Sequence, residues 1–261
     1  MNRSILFIPL HGPSLSEMLP SAEKVRQDGR YEPVFFIHRP ISENQLDSLC
    51  EKGIRFIGPQ VERYGKENPS NHSNVSGEDS KKSLSRQKFL KSLGERLFSL
   101  AIFSFFWYLV KFRYQLWKTR RILKSESVAA LVTIGDRHVG WETAMIKVAN
   151  KRNIPSLVVP YALSDPSGSA TFRLRREGEQ KLNPLMLRAV KRLFPEWVFH
   201  HRGHELLYLP LSIAFVAQIW GMMPQNPWTI GGGAASKMAV ENNKLRTMYR
   251  EQGIPEKKMV V

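Results

Sequence analysis

Short, nearly unbroken apolar runs alternate with amphipathic segments at both ends of this chain, and that alternation constrains the fold more than any other feature. "SILFIPL", "EPVFFIH" and "IRFIGP" read as strands near the start, and "VAALVTIGD" and "IPSLVVPYA" as strands further on. Runs apolar on both faces suit strands buried in a parallel sheet, where each strand needs a crossover before the next. The intervening segments supply the crossovers. "SLSEMLPSAEKVRQDG" predicts a helix entered through Ser14 or Ser16 and closed by Gly29, with Pro20 as a local flaw. "SENQLDSLCEKG" predicts a capped helix ending at Gly53, and "GWETAMIKVANKRN" another. The expected class is α/β: a Rossmann-like parallel sheet flanked by helices.

Two stretches interrupt the pattern. Residues 61–84, including "KENPSNHSNVSGEDSKKS", are polar and Ser/Asn-rich and read as a flexible loop. The sequons at Asn71 and Asn74 would matter only in a secreted protein. Residues 85–125 read as a basic, aromatic helical insertion. From Lys81 to Ser125 there are twelve bases and one acid, Glu95, so this segment carries +11 of the net +16. Such charge suits nucleic acid, an anionic membrane or an anionic substrate. The fourteen residues Leu97–Val110 have only two serines as polar groups. That is short of the ~20 needed to span a bilayer. Apolar, aromatic and basic residues together suit a helix lying in the interface of an anionic leaflet, with Phe105, Phe106, Trp107, Tyr108, Lys111, Arg113 and Trp117 as the expected contacts. A buried core helix is the alternative. The apolar stretch disfavours nucleic acid, whose ligands space their bases along an exposed face.

The domain reading is therefore 1–60 plus 126–261 as one α/β domain. Within it, "SDPSGSATFRLRREGEQ" reads as a loop and "NPLMLRAVKRLF" as a helix. Leu206–Met223 reads as a buried helix, and "ASKMAVENNKLRTMYREQG" as a helix closed by Gly253 that leads into a final apolar strand. The chain stops on that strand, so a further carboxyl-terminal domain beyond 261 is expected. The single cysteine, Cys50, excludes an intramolecular disulfide. The apolar run after Met1 is too short for a signal peptide and fits a first strand.

Several chemistries are missing. There is no G-x-x-x-x-G-K-[ST] loop, no G-x-S-x-G elbow, no H-E-x-x-H helix and no D-x-D pair. "HHRGHE" offers His200 and His204 four apart, but Gly203 breaks a helix there, so a polar turn is expected rather than a metal site. "IGGGAAS" is a tight turn or a phosphate contact, and Trp228 core or a stacking platform. Ligands of open α/β sheets gather at the carboxyl ends of strands. "PLHGPSLSEM" and "TIGDRHVGWET" occupy that position. His11, Gly12 and Ser14 are thus candidate substrate contacts. Asp136 is a candidate base or hydroxyl anchor, and Arg137 a candidate phosphate clamp. A helix cap is the plain alternative for Asp136.

The unit "ALVTIGDRHVGWETAMIKVANKRNIPSLVV" resembles the strand–GD[RT]–helix–"IP" unit of the UDP-N-acetylglucosamine 2-epimerases, which have the GT-B glycosyltransferase fold. "SKMAVENNKLRTMYREQGIPEKKMVV" looks like the end of the amino-terminal domain in that superfamily. The resemblance implies two Rossmann-like halves, of which this chain is the amino-terminal, acceptor-side one. It implies a nucleotide sugar as donor substrate, a glycan or lipid-linked acceptor, and no permanently bound cofactor or metal. It makes Asp136 the counterpart of the catalytic aspartate. The family's acidic "HxEAGxR" is replaced by "VVPYALSDP" and its "PEE.NR" is absent. With those carboxylates missing, glycosyl transfer in surface-polysaccharide or glycolipid synthesis is the expected function, with a 2-epimerase-like enzyme or a non-enzymatic basic module that binds membrane or nucleic acid as the alternatives. The expected location is cytoplasmic, at the inner face of the membrane.

Overall fold

The computed structural model of the protein describes residues 3–61, 101–161, 165–174 and 184–261. The rest, which holds residues 62–100 of the expected loop and insertion, lies outside the described residues. Seven strands form one parallel sheet: β1 (Ser4–Ile8), β2 (Glu32–Phe36), β3 (Arg55–Ile57), β4 (Val128–Thr133), β5 (Ser156–Val158), β8 (Lys237–Ala239) and β9 (Met259–Val260). Their order is β3-β2-β1-β4-β5-β8-β9. A separate antiparallel hairpin joins β6 (Val198–His201) and β7 (His204–Leu207). The expected α/β class is the one found.

Side-chain alternation assigns the two faces. Leu6, Ile8, Val34 and Phe36 pack with Phe112, Leu116 and Leu123 of α3 (Ala101–Ser125) and with Met145 and Val148 of α4 (Trp141–Asn150). Phe7, Phe35 and Ile37 point the other way, onto Leu15, Met18 and Ala22 of α1 (Gly12–Asp28) and Leu49 of α2 (Glu43–Glu51). β1 and β2 thus have helices over both faces, as period-2 alternation in a doubly covered sheet requires. α3 is the crossover from β3 to β4, and its inner face belongs to the same core as the central strands.

Four boundaries differ from the sequence reading. α1 is capped by His11 rather than by Ser14 or Ser16: the His11 Nδ1 accepts from the Ser14 N–H at 3.2 Å, and Ser14, at the third helical position, closes a capping box. A ring nitrogen one bond further out than a serine oxygen does the same job. The run from Leu206 is not one helix. It ends β7, turns at Pro210, and restarts as α7 (Leu211–Ile219), because proline at the first turn opens a helix and cannot continue one. "SDPSGSATF" holds a helix, α5 (Pro166–Leu174), whose Ala170 is buried against Leu206, Tyr208 and Trp228. The last segment is not helical from its start. Lys237–Ala239 is strand β8, and α8 (Asn243–Glu251) begins only after Asn242, whose side chain accepts from the Leu245 N–H at 2.9 Å. "NPLMLRAVKRLF" forms α6 (Pro184–Leu193) as read.

Candidate functional site

All seven sheet strands point one way, so their carboxyl ends share one edge. The order reverses between β1 and β4, which leaves a crevice at that edge. The turns after β1, β2, β4 and β5 bring His11, His38, Arg39, Asp136, Arg137, His138 and Tyr161 to it.

His11 and Ser14 serve the α1 turn. The buried Ser14 Oγ accepts from the backbone N–H of Leu10 and of His11 and donates to the His11 carbonyl. All its capacity is used. Because Nδ1 of His11 accepts from Ser14, a neutral ring carries its proton on Nε2, the atom left to face outward. The His11 ring meets Tyr161 edge-on at 5.1 Å, linking the turns after β1 and β5. At Gly12 a Cβ would meet the Gln45 side-chain amide, so Gly12 is a packing position under α2.

Asp136 is buried, 1% exposed, and both carboxylate oxygens are engaged. Oδ1 accepts from the Gly231 N–H at 2.9 Å and Oδ2 from the Lys258 ammonium at 2.8 Å. Lys258 also donates to the carbonyls of Gly231 and Gly233. The pair therefore ties the end of β4 to the triple glycine and to the turn before β9. A Cβ at Gly233 would overlap the Asp136 carbonyl, and one at Gly232 the Asn226 carbonyl. "IGGGA" is thus a tight turn built for backbone contact within the domain. The structure places Asp136 as the anchor of this turn; the first turn of α4 is instead entered through Gly140. Arg137 reaches back under the edge, donating to the Trp228 carbonyl at 2.8 Å and to Ser169 Oγ at 3.4 Å. Trp228 is core, 3% exposed, with Arg173 stacked over the adjoining Tyr208 ring at 4.1 Å.

Sequence reasoning missed a buried titratable group. His38, just past β2, and Glu142, in the first turn of α4, approach to 3.6 Å across the end of β1, with side chains 4% and 3% exposed. Burial alone would raise the Glu142 carboxyl, but His38 and His138 outweigh it and hold it below the usual carboxylate range. His138 is pushed down to about 4, chiefly by burial, opposed by Glu142 and reinforced by Arg137, Arg39 and Arg173. At neutral pH this region therefore holds a carboxylate beside a neutral imidazole, with three guanidinium groups near enough to act on it. Two signals could have found it: "IHRP" at a strand end, and an acid in the first turn of α4.

The aromatic helix α3 divides by face. Phe105 and Tyr108 turn inward onto the core, where the sequence reading had them as membrane contacts. Phe103, Phe106, Trp107, Val110, Tyr114 and Trp117 are exposed and follow the helical repeat along one stripe. Lys111 and Lys118 flank it on one side and Arg113, Arg120 and Lys124 on the other; Arg121 lies over the Trp117 ring at 4.9 Å. Among the described residues no helix is long and apolar enough to cross a membrane.

"HHRGHE" is the turn of the β6–β7 hairpin. Arg202 and Gly203, at φ 52° and 77°, make its two-residue bend, and His201 pairs with His204. His200 and His204 therefore share no helix face. Among the described residues no group of three or more His, Cys, Asp or Glu side chains is placed to hold a metal.

No protein-family model and no curated protein sequence matches this chain. Solved structures of similar fold do. A UDP-GlcNAc 2-epimerase from Neisseria meningitidis, bound to UDP-GlcNAc, shares 10% identity at a TM-score of 0.40, covering 99% of this chain and 46% of its own. The glycotransferase of kitacinnamycin shares 9% at 0.44, covering 99% and 50%. A UDP-glucosyltransferase from Polygonum tinctorium capable of glucosylating indoxyl shares 14% at 0.36, covering 98% and 49%. This chain spans about half the length of the solved structures it is similar to.

Proposed function

We propose that this chain is the acceptor-side domain of a GT-B-like glycosyltransferase that uses a nucleotide sugar as donor. The observation that carries the reading is the His38–Glu142 pair, set beneath the carboxyl edge where the strand order reverses. Glycosyl transfer needs a base for the acceptor hydroxyl. His38, 3.6 Å from an ionised Glu142 and with neither ring nitrogen hydrogen-bonded among the described residues, meets that need. It takes the hydroxyl proton, and the Glu142 charge stabilises the imidazolium that forms. The acceptor oxygen then bonds to the anomeric carbon. The bond from that carbon to the donor diphosphate breaks, and the electron pair leaves with the diphosphate. Arg39 and the amino termini of α1 and α4 supply positive potential at the same edge. Asp136, with both oxygens engaged by Gly231 and Lys258, is an anchor rather than a base, which supports transfer over 2-epimerisation.

UDP release from a panel of UDP-sugars, with glycan acceptors, tests this in the full-length gene product. His38→Gln should lower release about 100-fold, within the range of general-base contributions. Glu142→Gln should lower it less, with far-UV circular dichroism unchanged in both. Wild-type release by a folded His38→Gln variant would remove the base role.

The same protein is proposed to rest on an anionic leaflet, with a lipid-linked acceptor. The exposed stripe of α3 between two basic flanks supports this. The Tyr114 ring of α3 meets the Trp141 ring at the start of α4 at 6.3 Å, so the helix adjoins the crevice. Vesicles rich in phosphatidylglycerol should carry the chain in flotation, neutral phosphatidylcholine vesicles should not, and Phe106→Glu with Trp117→Glu should cut recovery at least tenfold. Equal flotation on both vesicle types, or duplex DNA binding with a steep salt slope in its place, would refute the lipid reading.

A further inference from the structure

A pocket of about 170 Å³ lies at the carboxyl ends of β5 and β8, beside the crevice. Val159, Val240 and Leu245 form its apolar wall. Tyr161, 43% exposed, presents an aromatic ring, Glu241 is an exposed carboxylate, and Tyr249 also lines it. The Tyr249 side chain is 1% exposed, and its hydroxyl has no hydrogen-bond partner among the described residues. Burial raises this phenol, Arg137 opposes the rise, and Glu241 adds to it. The hydroxyl is therefore intact at neutral pH and available to donate and to accept. A buried hydroxyl left without a partner is costly, and the cost is relieved by a ligand that supplies the missing bond.

We infer that this pocket binds one pyranose ring of a neutral glycan. Its volume is below the ~300–1,000 Å³ of drug-sized ligand pockets and suits a single six-membered ring. A pyranose has an apolar C–H face and a rim of hydroxyls. The Tyr161 ring and the valine and leucine wall suit the first. Glu241, an acceptor for two adjacent hydroxyls, and Tyr249, a partner for a third, suit the second. An anionic or purely aliphatic ligand leaves Glu241 or Tyr249 unmatched. The inference rests on the transfer reading only in naming this ring as part of the acceptor.

Saturation-transfer NMR with methyl glucopyranoside, methyl galactopyranoside and methyl N-acetylglucosaminide, on the full-length protein, tests it. At least one should receive saturation. Tyr249→Phe, which keeps the ring volume and removes only the unmatched hydroxyl, should lower that transfer at least fivefold with a melting temperature equal to or above wild type. Tyr161→Ala and Glu241→Gln should each lower it too. If no pyranoside receives saturation from the wild type, or if Tyr249→Phe binds as well as wild type, the pocket is not a pyranose site. Pyranoside binding without UDP release would keep this inference and fail the transfer reading. UDP release without pyranoside binding would do the reverse.

Discussion

Replacing Asp136 by asparagine lowers the stability of the folded chain by about 3–5 kcal/mol, the usual cost of breaking a buried ion pair from one side. The substitution keeps the shape but removes the charge that faces Lys258, whose own side chain is only 9% exposed. Asparagine offers one acceptor oxygen where two are needed, so either the Lys258 ammonium or the Gly231 N–H is left facing an NH2 donor. Removing both charges, as Asp136→Asn with Lys258→Met, should recover part of the loss, because no unpaired charge remains buried. Urea unfolding of the single and double variants checks this. A loss below about 1 kcal/mol for Asp136→Asn would mean that the pair does not hold the glycine turn. The same set tests the role of Asp136. An anchor loses stability first, and activity only as the fold is lost, whereas a base loses activity in a fully folded protein.

Acid weakens this protein well before its ordinary carboxylates titrate. Unfolded, His138 binds a proton near its usual 6.5; folded, it does so only near 4, because it is buried with Arg137, Arg39 and Arg173 nearby. Between those values the unfolded chain holds more protons. The stability due to a neutral His138 is thus complete above about pH 6.5 and is lost as pH falls toward 4. A shift of that size corresponds to about 3 kcal/mol. Glu142, held below its usual range, acts in the same direction and extends the loss at the acid end. Denaturant midpoints from pH 7.5 to 4 should fall steeply in the wild type and markedly less in His138→Asn. Parallel curves for the two proteins would show that His138 is not the group responsible.

Much of the fold was legible from local pattern. "SILFI" and "EPVFF" alternate side chains between two covered faces, and the helices between them carry matching apolar stripes. Short elements were not legible. β8 is three residues long with one fully buried side chain, Met238, too little for a period to show. α5 is rich in serine and glycine, and its place is fixed by the contact of Ala170 with Leu206, Tyr208 and Trp228 rather than by propensity. On α3 the sequence showed an apolar, aromatic and basic mixture. Only the packing of Phe112, Leu116 and Leu123 told which aromatic residues turn inward.

The candidate site divides the same way. Its location was readable, because in a parallel sheet every strand ends at one edge and His11, Asp136 and Arg137 stand at strand ends. The partners were not. Asp136 meets Lys258 from 122 positions away, and His38 meets Glu142 across the end of β1. By itself the sequence determined the central strands and the longer helices between them, since those follow from side-chain periodicity along neighbouring residues. The tertiary structure alone decided which charges are buried together, because a charge is satisfied by whatever lies within a few ångströms, and that distance is set by how distant strands align in the sheet.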